Sequence, residues 1–203
     1  IASKGWVAAS VYYFLAEKGV IPKEDLERYC RPGEKEYIGL VEPHHKFGLE
    51  FAGGSMGYGL PAGVGFALAK KLNNEAGKIH VLMSDGEYQE GTTWESLLIA
   101  SKYKLDNLTA IIDYNKIQAS DFIENVLPLN NLRKKIEAFN WHITEINGHS
   151  YHQIIDALSK KELEKPHMII ANTIKGNGIS FMENSTDWHS KRPTDEQFKQ
   201  AYR

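Results

Sequence analysis

The chain has 203 residues, of which 42% are hydrophobic and 25% are charged, and its formal net charge is −2. This length suffices for one larger domain, and the ordinary composition excludes a disordered chain. No apolar run approaches the length of a membrane-spanning helix, and no excess of basic residues indicates nucleic-acid binding. The single cysteine, Cys30, excludes an internal disulfide framework and favours a reducing, cytoplasmic location.

Apolar residues at helical spacing predict helices, and short aliphatic runs predict buried strands. The first elements in chain order are a helix over Val7–Lys18 that ends at Gly19, a short helix from Lys23, a long loop over Arg31–Phe51, a glycine-rich turn over Gly53–Gly59 and a helix over Leu60–Leu72. A loop of this length is usually functional or mobile.

The remaining elements alternate between strands and helices. They are a strand over Lys78–Ser84, a helix capped by Thr92 or Thr93 that runs to Lys102, a strand over Leu108–Asp113, a helix over Leu132–Phe139, a strand over Trp141–Ile146, a helix over Tyr151–Lys161 capped by Ser150, and a strand over Pro166–Thr173. This alternation predicts an α/β fold with a mainly parallel central sheet and helices on both faces. We expect residues 1–203 to form one domain.

Two polar residues stand just beyond two successive predicted strands. Asp85 follows the first of these strands and Asn115 follows the next. Open α/β sheets bind ligands at the carboxyl ends of their strands, where these residues are expected to meet. A carboxylate and an amide oxygen suit a hard cation such as Mg²⁺, which keeps positions open for phosphate oxygens. Asp-Gly is also a common turn, so the two positions alone leave a structural explanation open.

The glycine-rich turn at Gly53–Gly59 precedes a predicted helix. Glycines in this position allow close approach of the backbone to a ligand, and the amino terminus of a helix favours anions. The turn does not follow a clear strand, so it fails the context test for a dinucleotide-binding motif, and it lacks the Gly-Lys-Ser/Thr ending of a P-loop.

Taken together, these motifs resemble the N-terminal, diphosphate-binding domain of transketolase, in the form found as a separate small subunit. The family's thiamine diphosphate motif begins Gly-Asp-Gly and ends with Asn one crossover later, where this chain has Ser84-Asp85-Gly86 and Asn115. The resemblance covers nearly the whole chain in the expected order. Its segments are Ser3-Lys4-Gly5, Gly54-Ser55-Met56-Gly57, Asp85–Gly91, Tyr103–Leu108, Asp113-Tyr114-Asn115, Lys175–Glu183 and Trp188-His189.

The resemblance implies a role for each matching site residue. Asp85, Asn115 and the backbone carbonyl of Ile117 would bind Mg²⁺ or Ca²⁺, and this metal would hold the diphosphate of thiamine diphosphate. The other implied cofactor contacts are backbone groups of Gly86 and Glu87 at the diphosphate, backbone groups of Gly54, Ser55 and Met56 along the aminopyrimidine, Ile117 near the thiazolium, and Lys175 and His189 between the diphosphate and the reaction centre.

Glu90 and His189 are the catalytic residues that the resemblance implies, and Glu90 matches a glutamate at the family's dimer interface. Simpler explanations stay open for three of these residues. Glu90 could cap the following helix or lie in solvent, Lys175 could be a surface lysine, and His189 could form a surface pair with Trp188. The adjacent His44 and His45 have no carboxylate spaced to complete a metal site.

The chain departs from the family in the region that handles the sugar. Transketolases usually carry Ser-x-Gly-His where this chain reads Ser3-Lys4-Gly5-Trp6, and their Gly-His-Pro loop is absent from Gly39–His45. Trp6 cannot exchange an imidazole proton, but it can stack on a ring. This departure predicts a specialised substrate, such as a deoxy or branched sugar. A family histidine further upstream would precede Ile1, which leaves a missing N-terminal segment open.

The resemblance implies an N-terminal subunit of a two-component transketolase, which transfers a two-carbon ketol unit between sugars through thiamine diphosphate. In the family, the glutamate that activates the cofactor lies on the pyrimidine-binding domain, which this sequence lacks. We therefore expect activity only with a C-terminal transketolase subunit, in an α₂β₂ assembly.

Two alternatives remain open on the sequence. The α subunit of a 2-oxoacid dehydrogenase, or a deoxyxylulose-phosphate-type synthase, shares the Asp-Gly…Asn motif, but the tail with Lys175 and Trp188-His189 favours transketolase. A non-catalytic thiamine diphosphate-binding subunit is suggested by Trp6 and opposed by the retained Asp85, Asn115, Glu90 and His189.

Overall fold

The computed structural model describes residues 1–51, 53–160 and 162–202, so Ala52, Lys161 and Arg203 lie outside the described residues. The strands are β1 (Ile79–Ser84), β2 (Leu108–Tyr114), β3 (His142–Asn147) and β4 (His167–Asn172). The α-helices are α1 (Ala8–Glu17), α2 (Gly59–Leu72), α3 (Gly91–Lys102), α4 (Ile123–Val126), α5 (Leu132–Ala138), α6 (Tyr151–Ser159) and α7 (Asp195–Ala201). Short 3₁₀ turns lie at Gly5–Val7, Lys23–Arg28, His45–Phe47, Asp85–Gln89 and Thr186–His189.

The four strands form one parallel sheet in the order β1-β2-β4-β3. Ser84 pairs with Asp113, and Asp113 pairs with Ala171, so β1, β2 and β4 end at the same edge. Ala2 adds a parallel bridge to Leu82 at the free side of β1. This register gathers the segments that follow β1, β2 and β4, and it confirms the predicted parallel sheet.

Both faces of the sheet are covered by helices, as predicted. Alternate residues of a strand point to opposite faces, and those of β2 and β4 do so here. One face joins the main core with residues of α2, α3 and α5, through Leu108, Ala110, Ile112, Met168 and Ile170. The other face packs against α6 through Ile111, Ile169 and Ala171.

The amino-terminal region forms a second apolar cluster around α1. Tyr12 of α1 packs edge-on against Tyr37, which comes from the predicted loop and is fully buried with Val41. Arg28 reaches across to Glu34, with Nε 2.9 Å from the carboxylate. The segment Arg31–Phe51 contains the 3₁₀ turn at His45–Phe47 but is otherwise irregular, so the predicted loop is confirmed and its two buried side chains anchor it.

Several sequence-based details were wrong or missing. The predicted cap of α3 was wrong, because the helix begins at Gly91 with Glu90 as its N-cap residue, and Thr92 and Thr93 lie inside it. Their hydroxyls instead donate to the carbonyls of Gly57 and Glu87. The sequence pattern also did not predict α4, α7, the 3₁₀ turn at Asp85–Gln89 or the 3₁₀ turn at Thr186–His189. Ser150 caps α6 as predicted.

Among the described residues, no helix is long and apolar enough to cross a membrane.

Candidate functional site

The candidate metal ligands lie on the turns that follow β1 and β2. Asp85 is buried, and its Oδ2 accepts a hydrogen bond from the Lys116 amide at 2.6 Å. The Oδ1 of Asn115 accepts from the Ile117 amide at 3.0 Å. Lys116 has a φ of 66°, a left-handed conformation that turns the chain sharply here. Both predicted side chains are therefore brought onto one turn, over residues 115–117.

The oxygen atoms that could bind a metal at this turn suit a hard cation. They are a carboxylate, an amide oxygen and a backbone carbonyl, and hard divalent cations take oxygen ligands. No cluster of three or more His, Cys, Asp or Glu side chains that could hold a metal exists in the described ranges, so a cation here would need the amide and carbonyl oxygens too. Burial raises the pKa of Asp85 to about 6, and the Lys116 hydrogen bond only partly opposes this rise. A bound cation would favour the ionised carboxylate.

Gly86 lies where any side chain would collide with a neighbouring side chain. A Cβ atom built there would lie 2.9 Å from Nε2 of Gln118 and 3.6 Å from Sδ of Met56. Gln118 in turn donates to the side chain of Gln89 at 2.8 Å. The structure thus brings Gly86 next to Met56, as expected if both border one ligand, and a side chain at residue 86 would displace Gln118.

The glycine segment, defined as Gly53–Gly59, lies in close contact with the amino-terminal residues. Gly54 has a φ of 111°, and its amide donates to the Ser3 carbonyl at 3.3 Å. A Cβ at Gly5 would lie 2.0 Å from the Gly54 Cα, so only glycine permits this approach. Ser55 and Met56 are exposed. Two of the predicted cofactor residues of this segment, Ser55 and Met56, are therefore accessible beside the turn at residues 115–117, which we call the metal turn.

Glu87 is fully buried, and its side chain connects three segments. Its Oε1 accepts hydrogen bonds from the amide and the hydroxyl of Ser84, at 2.8 and 3.2 Å. Its Oε2 accepts from the Gly57 amide at 3.2 Å and from the Ser3 hydroxyl. The sequence predicted only backbone contacts for this residue, and these long-range side-chain bonds were missed.

An ion pair between Lys4 and Asp113 was also missed. Lys4 pairs with Asp113 across 109 positions, and the Thr173 hydroxyl donates to the same carboxylate. Asn115 donates to it at 3.4 Å. Burial alone would raise the pKa of Asp113, but the Lys4 charge and the hydrogen bonds from Lys4, Thr173 and Asn115 together outweigh burial and lower it. In the sequence, the only indication of this ion pair was that both residues belong to segments that resemble the family's motifs.

The two remaining candidate site residues, Lys175 and His189, lie near this ion pair. Lys175 follows β4 and is half-buried, and its pKa is lowered by burial and then by the charge of Lys4. His189 lies in the 3₁₀ turn at Thr186–His189 with its side chain exposed, and its pKa is lowered by partial loss of hydration and then by Lys175 and Lys4. The structure therefore gathers Lys4 and Lys175 into one positive region, with His189 beside them.

Glu90 lies next to the glycine segment. Its side chain packs against Gly57, because a Cβ built on that glycine would lie 2.7 Å from the Glu90 Cβ. Glu90 occupies the N-cap position of α3, but its side chain makes no capping hydrogen bond to the helix.

A cleft of about 560 Å³ opens beside the positive region. One end is polar and is lined by Lys4, Asp113, Asn115, Thr173 and Lys175. The other end continues over the sheet face next to α6 and is lined by apolar side chains, namely Leu82, Ile111, Ile146, Ile154, Leu158 and Ile169.

Comparison with known proteins identifies the family. The family model described as "Transketolase, thiamine diphosphate binding domain" matches residues 1–202. This chain belongs to the transketolase family. It is 41% identical over 202 residues to an apulose-4-phosphate transketolase subunit of Actinobacillus succinogenes, covering 99% of this chain and 73% of that relative. It is 37% identical over 208 residues to a 6-deoxy-6-sulfo-D-fructose transketolase subunit of Clostridium sp., covering 99% and 74%.

Solved transketolases share the fold. The transketolase of Campylobacter jejuni superimposes with a TM-score of 0.88 at 33% identity, covering 99% of this chain and 33% of that chain. The chain thus spans about a third of that transketolase. These findings confirm a transketolase-type transferase subunit with a thiamine diphosphate-binding domain, of the separate N-terminal kind. The individual residue roles, the metal and the partner stay predictions.

Proposed function

We propose that this chain binds thiamine diphosphate through a divalent cation, and that with a separate pyrimidine-domain subunit it transfers a ketol unit between specialised sugars. The observation that carries the proposal is the convergence of Asp85 and Asn115 on the turn at residues 115–117, beside Gly86 and the glycine segment.

Asp85, Asn115 and the Ile117 carbonyl would hold Mg²⁺ or Ca²⁺ at the diphosphate. The amides of Gly86 and Glu87 lie in the turn directly after β1, where backbone donors can reach phosphate oxygens. Lys175 would offset the diphosphate charge, helped by Lys4 in the same positive region. The metal turn therefore supplies the anchor for the phosphate end of the cofactor.

The organic part of the cofactor would lie against the glycine segment. Backbone groups of Gly54, Ser55 and Met56 would border the aminopyrimidine, and the buried Ile117 would pack near the thiazolium. Thiamine diphosphate, when bound, supplies the electron sink for breaking and forming the carbon–carbon bond. The protein's share is to position this group and exclude water.

We assign Glu90 and His189 the catalytic roles. The lowered pKa of His189 keeps its imidazole neutral at pH 7, so that it can both donate and accept hydrogen bonds at a substrate hydroxyl. Glu90 lies half-buried against Gly57. In this position its carboxylate would face the partner subunit while its side chain stays in contact with the glycine segment.

The names of the relatives support a partner and an unusual sugar. Three relatives are named as subunits of a transketolase, and the sugars in these names are apulose-4-phosphate and 6-deoxy-6-sulfo-D-fructose. Trp6 is 74% exposed, next to the close contact of Gly5 with the glycine segment, where a ring can stack on a substrate. We propose a C-terminal transketolase subunit in an α₂β₂ assembly, a branched or deoxy sugar substrate, and a cytoplasmic location.

Calorimetric titration of thiamine diphosphate tests the cofactor site. Binding by the full-length protein should require Mg²⁺ or Ca²⁺ and should disappear in a chelator. Asp85→Ala should weaken it by about a hundredfold or more, because a metal site loses its charged ligand. Asp156→Ala, on the exposed surface of α6, is the matched control and should change affinity less than about twofold. Tight binding without a divalent cation would contradict the metal assignment.

Ketol-transfer assays test the partner and the substrate. The full-length chain with Mg²⁺, thiamine diphosphate and a ketose phosphate should turn over only when the C-terminal subunit is added. Turnover by this chain alone would overturn the two-component proposal. Release of CO₂ from a 2-oxoacid would favour the 2-oxoacid dehydrogenase alternative, and equal activity on ordinary pentose phosphates would contradict the specialised sugar.

A further inference from the structure

We infer that Glu87 is a positioning residue, whose side chain holds the glycine segment at a fixed distance from the metal turn. The inference rests on the proposed function, which places the two ends of thiamine diphosphate at these two segments. It concerns the side chain of Glu87, whereas the family resemblance implied only its backbone.

The geometry of the bonds places Glu87 between the two parts of the site. Ser84 immediately precedes Asp85, so the bonds from Ser84 to Oε1 fix the start of the segment that carries Asp85, and Asp85 in turn bonds to the Lys116 amide of the metal turn. Gly57 belongs to the glycine segment, and its amide bonds to Oε2 from 30 positions away. Ser3 completes the link, because its hydroxyl donates to Oε2 and accepts from the Gly59 amide at 3.0 Å.

All four groups around the carboxylate donate hydrogen bonds to it. An ionised carboxylate accepts at both oxygens, whereas a glutamine amide must present two donors at one end. Each end of Glu87 faces one backbone amide, at Ser84 and at Gly57, and a backbone amide cannot reverse its role. Glutamine, although it has nearly the same shape, therefore cannot satisfy both ends.

The distances indicate which of the two backbone hydrogen bonds a glutamine at residue 87 would lose. The Ser84 amide lies 2.8 Å from Oε1, and the Gly57 amide lies 3.2 Å from Oε2. If glutamine points its NH₂ group toward Gly57, the Ser3 hydroxyl at that end can rotate and accept a hydrogen bond from it. An NH₂ group facing Ser84 would instead meet the shorter of the two backbone contacts, which tolerates a second donor less well. Glu87→Gln should therefore keep the bond to Ser84 and leave the buried Gly57 amide without an acceptor.

This selective loss would loosen the glycine segment and leave the metal turn in place. Gly57 has a φ of 78°, and the Thr92 hydroxyl tethers its carbonyl at 2.7 Å, so one tether would remain. A ligand that contacts only the metal turn should bind as before. A ligand that spans both segments should bind more weakly.

The test compares two probes on the full-length protein in its native assembly, at saturating Mg²⁺. Inorganic pyrophosphate reports on the metal turn alone, and thiamine diphosphate reports on both segments. Glu87→Gln should raise the Kd for thiamine diphosphate about tenfold and that for pyrophosphate less than about threefold, because one buried hydrogen bond is lost on one side only. Ser3→Ala, which leaves every backbone amide in place, should shift the ratio of the two constants in the same direction by a smaller factor.

Thr144→Val is the matched control, since it removes a buried side-chain hydrogen bond near the opposite, amino-terminal edge of the sheet. It should leave both constants unchanged. Glu87→Gln binding both probes like the wild type, or weakening both equally, would overturn the inference. So would the same change of ratio in Thr144→Val. Failure of the wild type to bind thiamine diphosphate would overturn the proposed function itself, and the inference with it.

Discussion

The ion pair of Lys4 and Asp113 joins the amino-terminal segment to the end of β2. Each side chain keeps about a quarter of its surface exposed, so the pair is partly removed from solvent. Asp113 also accepts from Thr173 at the end of β4, which brings three segments together at one carboxylate. A partly buried charge that loses its partner is costly, because its remaining hydration does not replace the ion pair.

Lys4→Met tests this contribution. The substitution keeps the aliphatic stem and removes the charge, and it should lower the free energy of unfolding by about 1–3 kcal/mol. Urea unfolding of the protein without cofactor measures it. Lys104→Met is the matched control, because the Lys104 pair with Glu164 is mostly exposed and should contribute less than about 1 kcal/mol. Equal losses in the two variants would show that the Lys4 pair contributes no more than a surface pair.

The sequence could predict only part of the site at this scale. Asp85 and Asn115 were found because each directly follows a strand, and the positions of parallel strand ends are predictable. The partners of Glu87 and Asp113 were not, since Ser3 lies 84 positions from Glu87 and Lys4 lies 109 positions from Asp113. Nothing in the local pattern of a chain specifies which distant hydroxyl or amine will face a given carboxylate.

At the scale of elements, α6 covers the second face of the sheet. Ala157, with Ile154 and Leu158, packs against Ile146 and Ile169. Ser150 caps the helix, its hydroxyl accepting from the Gln153 amide at 3.4 Å. The helix has only nine residues, so the bond at its first turn matters for its stability.

Ser150→Ala should lower the free energy of unfolding by about 1 kcal/mol, because the first-turn amide loses its acceptor. Chemical denaturation measures this loss. Ser150→Asp should restore most of the stability, since aspartate is an equally good N-cap residue. Ser159→Ala, at the last turn of the same helix, is the control and should change stability by less than about 0.5 kcal/mol. Failure of aspartate to rescue the alanine variant would argue against a capping role.

The same scale shows why some elements were predictable and others were not. The central strands β2 and β4 were found because they are buried on both faces and therefore read as continuous apolar runs. The helix α4 has four residues, too few to show a helical period. The error at α3 has a tertiary cause, because Thr92 and Thr93 satisfy carbonyls of Gly57 and Glu87 instead of the helix's own amides.

At the scale of the whole molecule, the two edges of the sheet differ in their chemistry. The carboxyl edge carries the charged site, whereas the amino edge buries a histidine. His167 begins β4 and is 4% exposed, and its Nε2 lies 3.0 Å from the Thr144 hydroxyl. Among the described residues its Nδ1 is buried without a hydrogen-bond partner. Its ring centre lies 4.8 Å from that of His142, which pairs with Glu162.

This environment should make the fold sensitive to acid. Burial lowers the pKa of His167 to about 4, and nearby His142, Lys160, Lys78 and His80 add to the effect. An unfolded chain would take up the proton near pH 6.5. The unfolded state therefore binds more protons between these values, and the free energy of unfolding should fall as the pH falls from about 6.5 to about 4. The loss from this one group is at most about 3 kcal/mol.

Urea unfolding at a series of pH values isolates this contribution when wild type is compared with His167→Gln. Glutamine can still hydrogen-bond to the Thr144 hydroxyl but does not titrate, so the stability of the variant should fall less steeply below pH 6.5. His152→Gln is the matched control, because that histidine is 85% exposed and should leave the steepness unchanged. Parallel curves for wild type and His167→Gln would mean that acid sensitivity arises elsewhere, such as the carboxylates of the opposite edge.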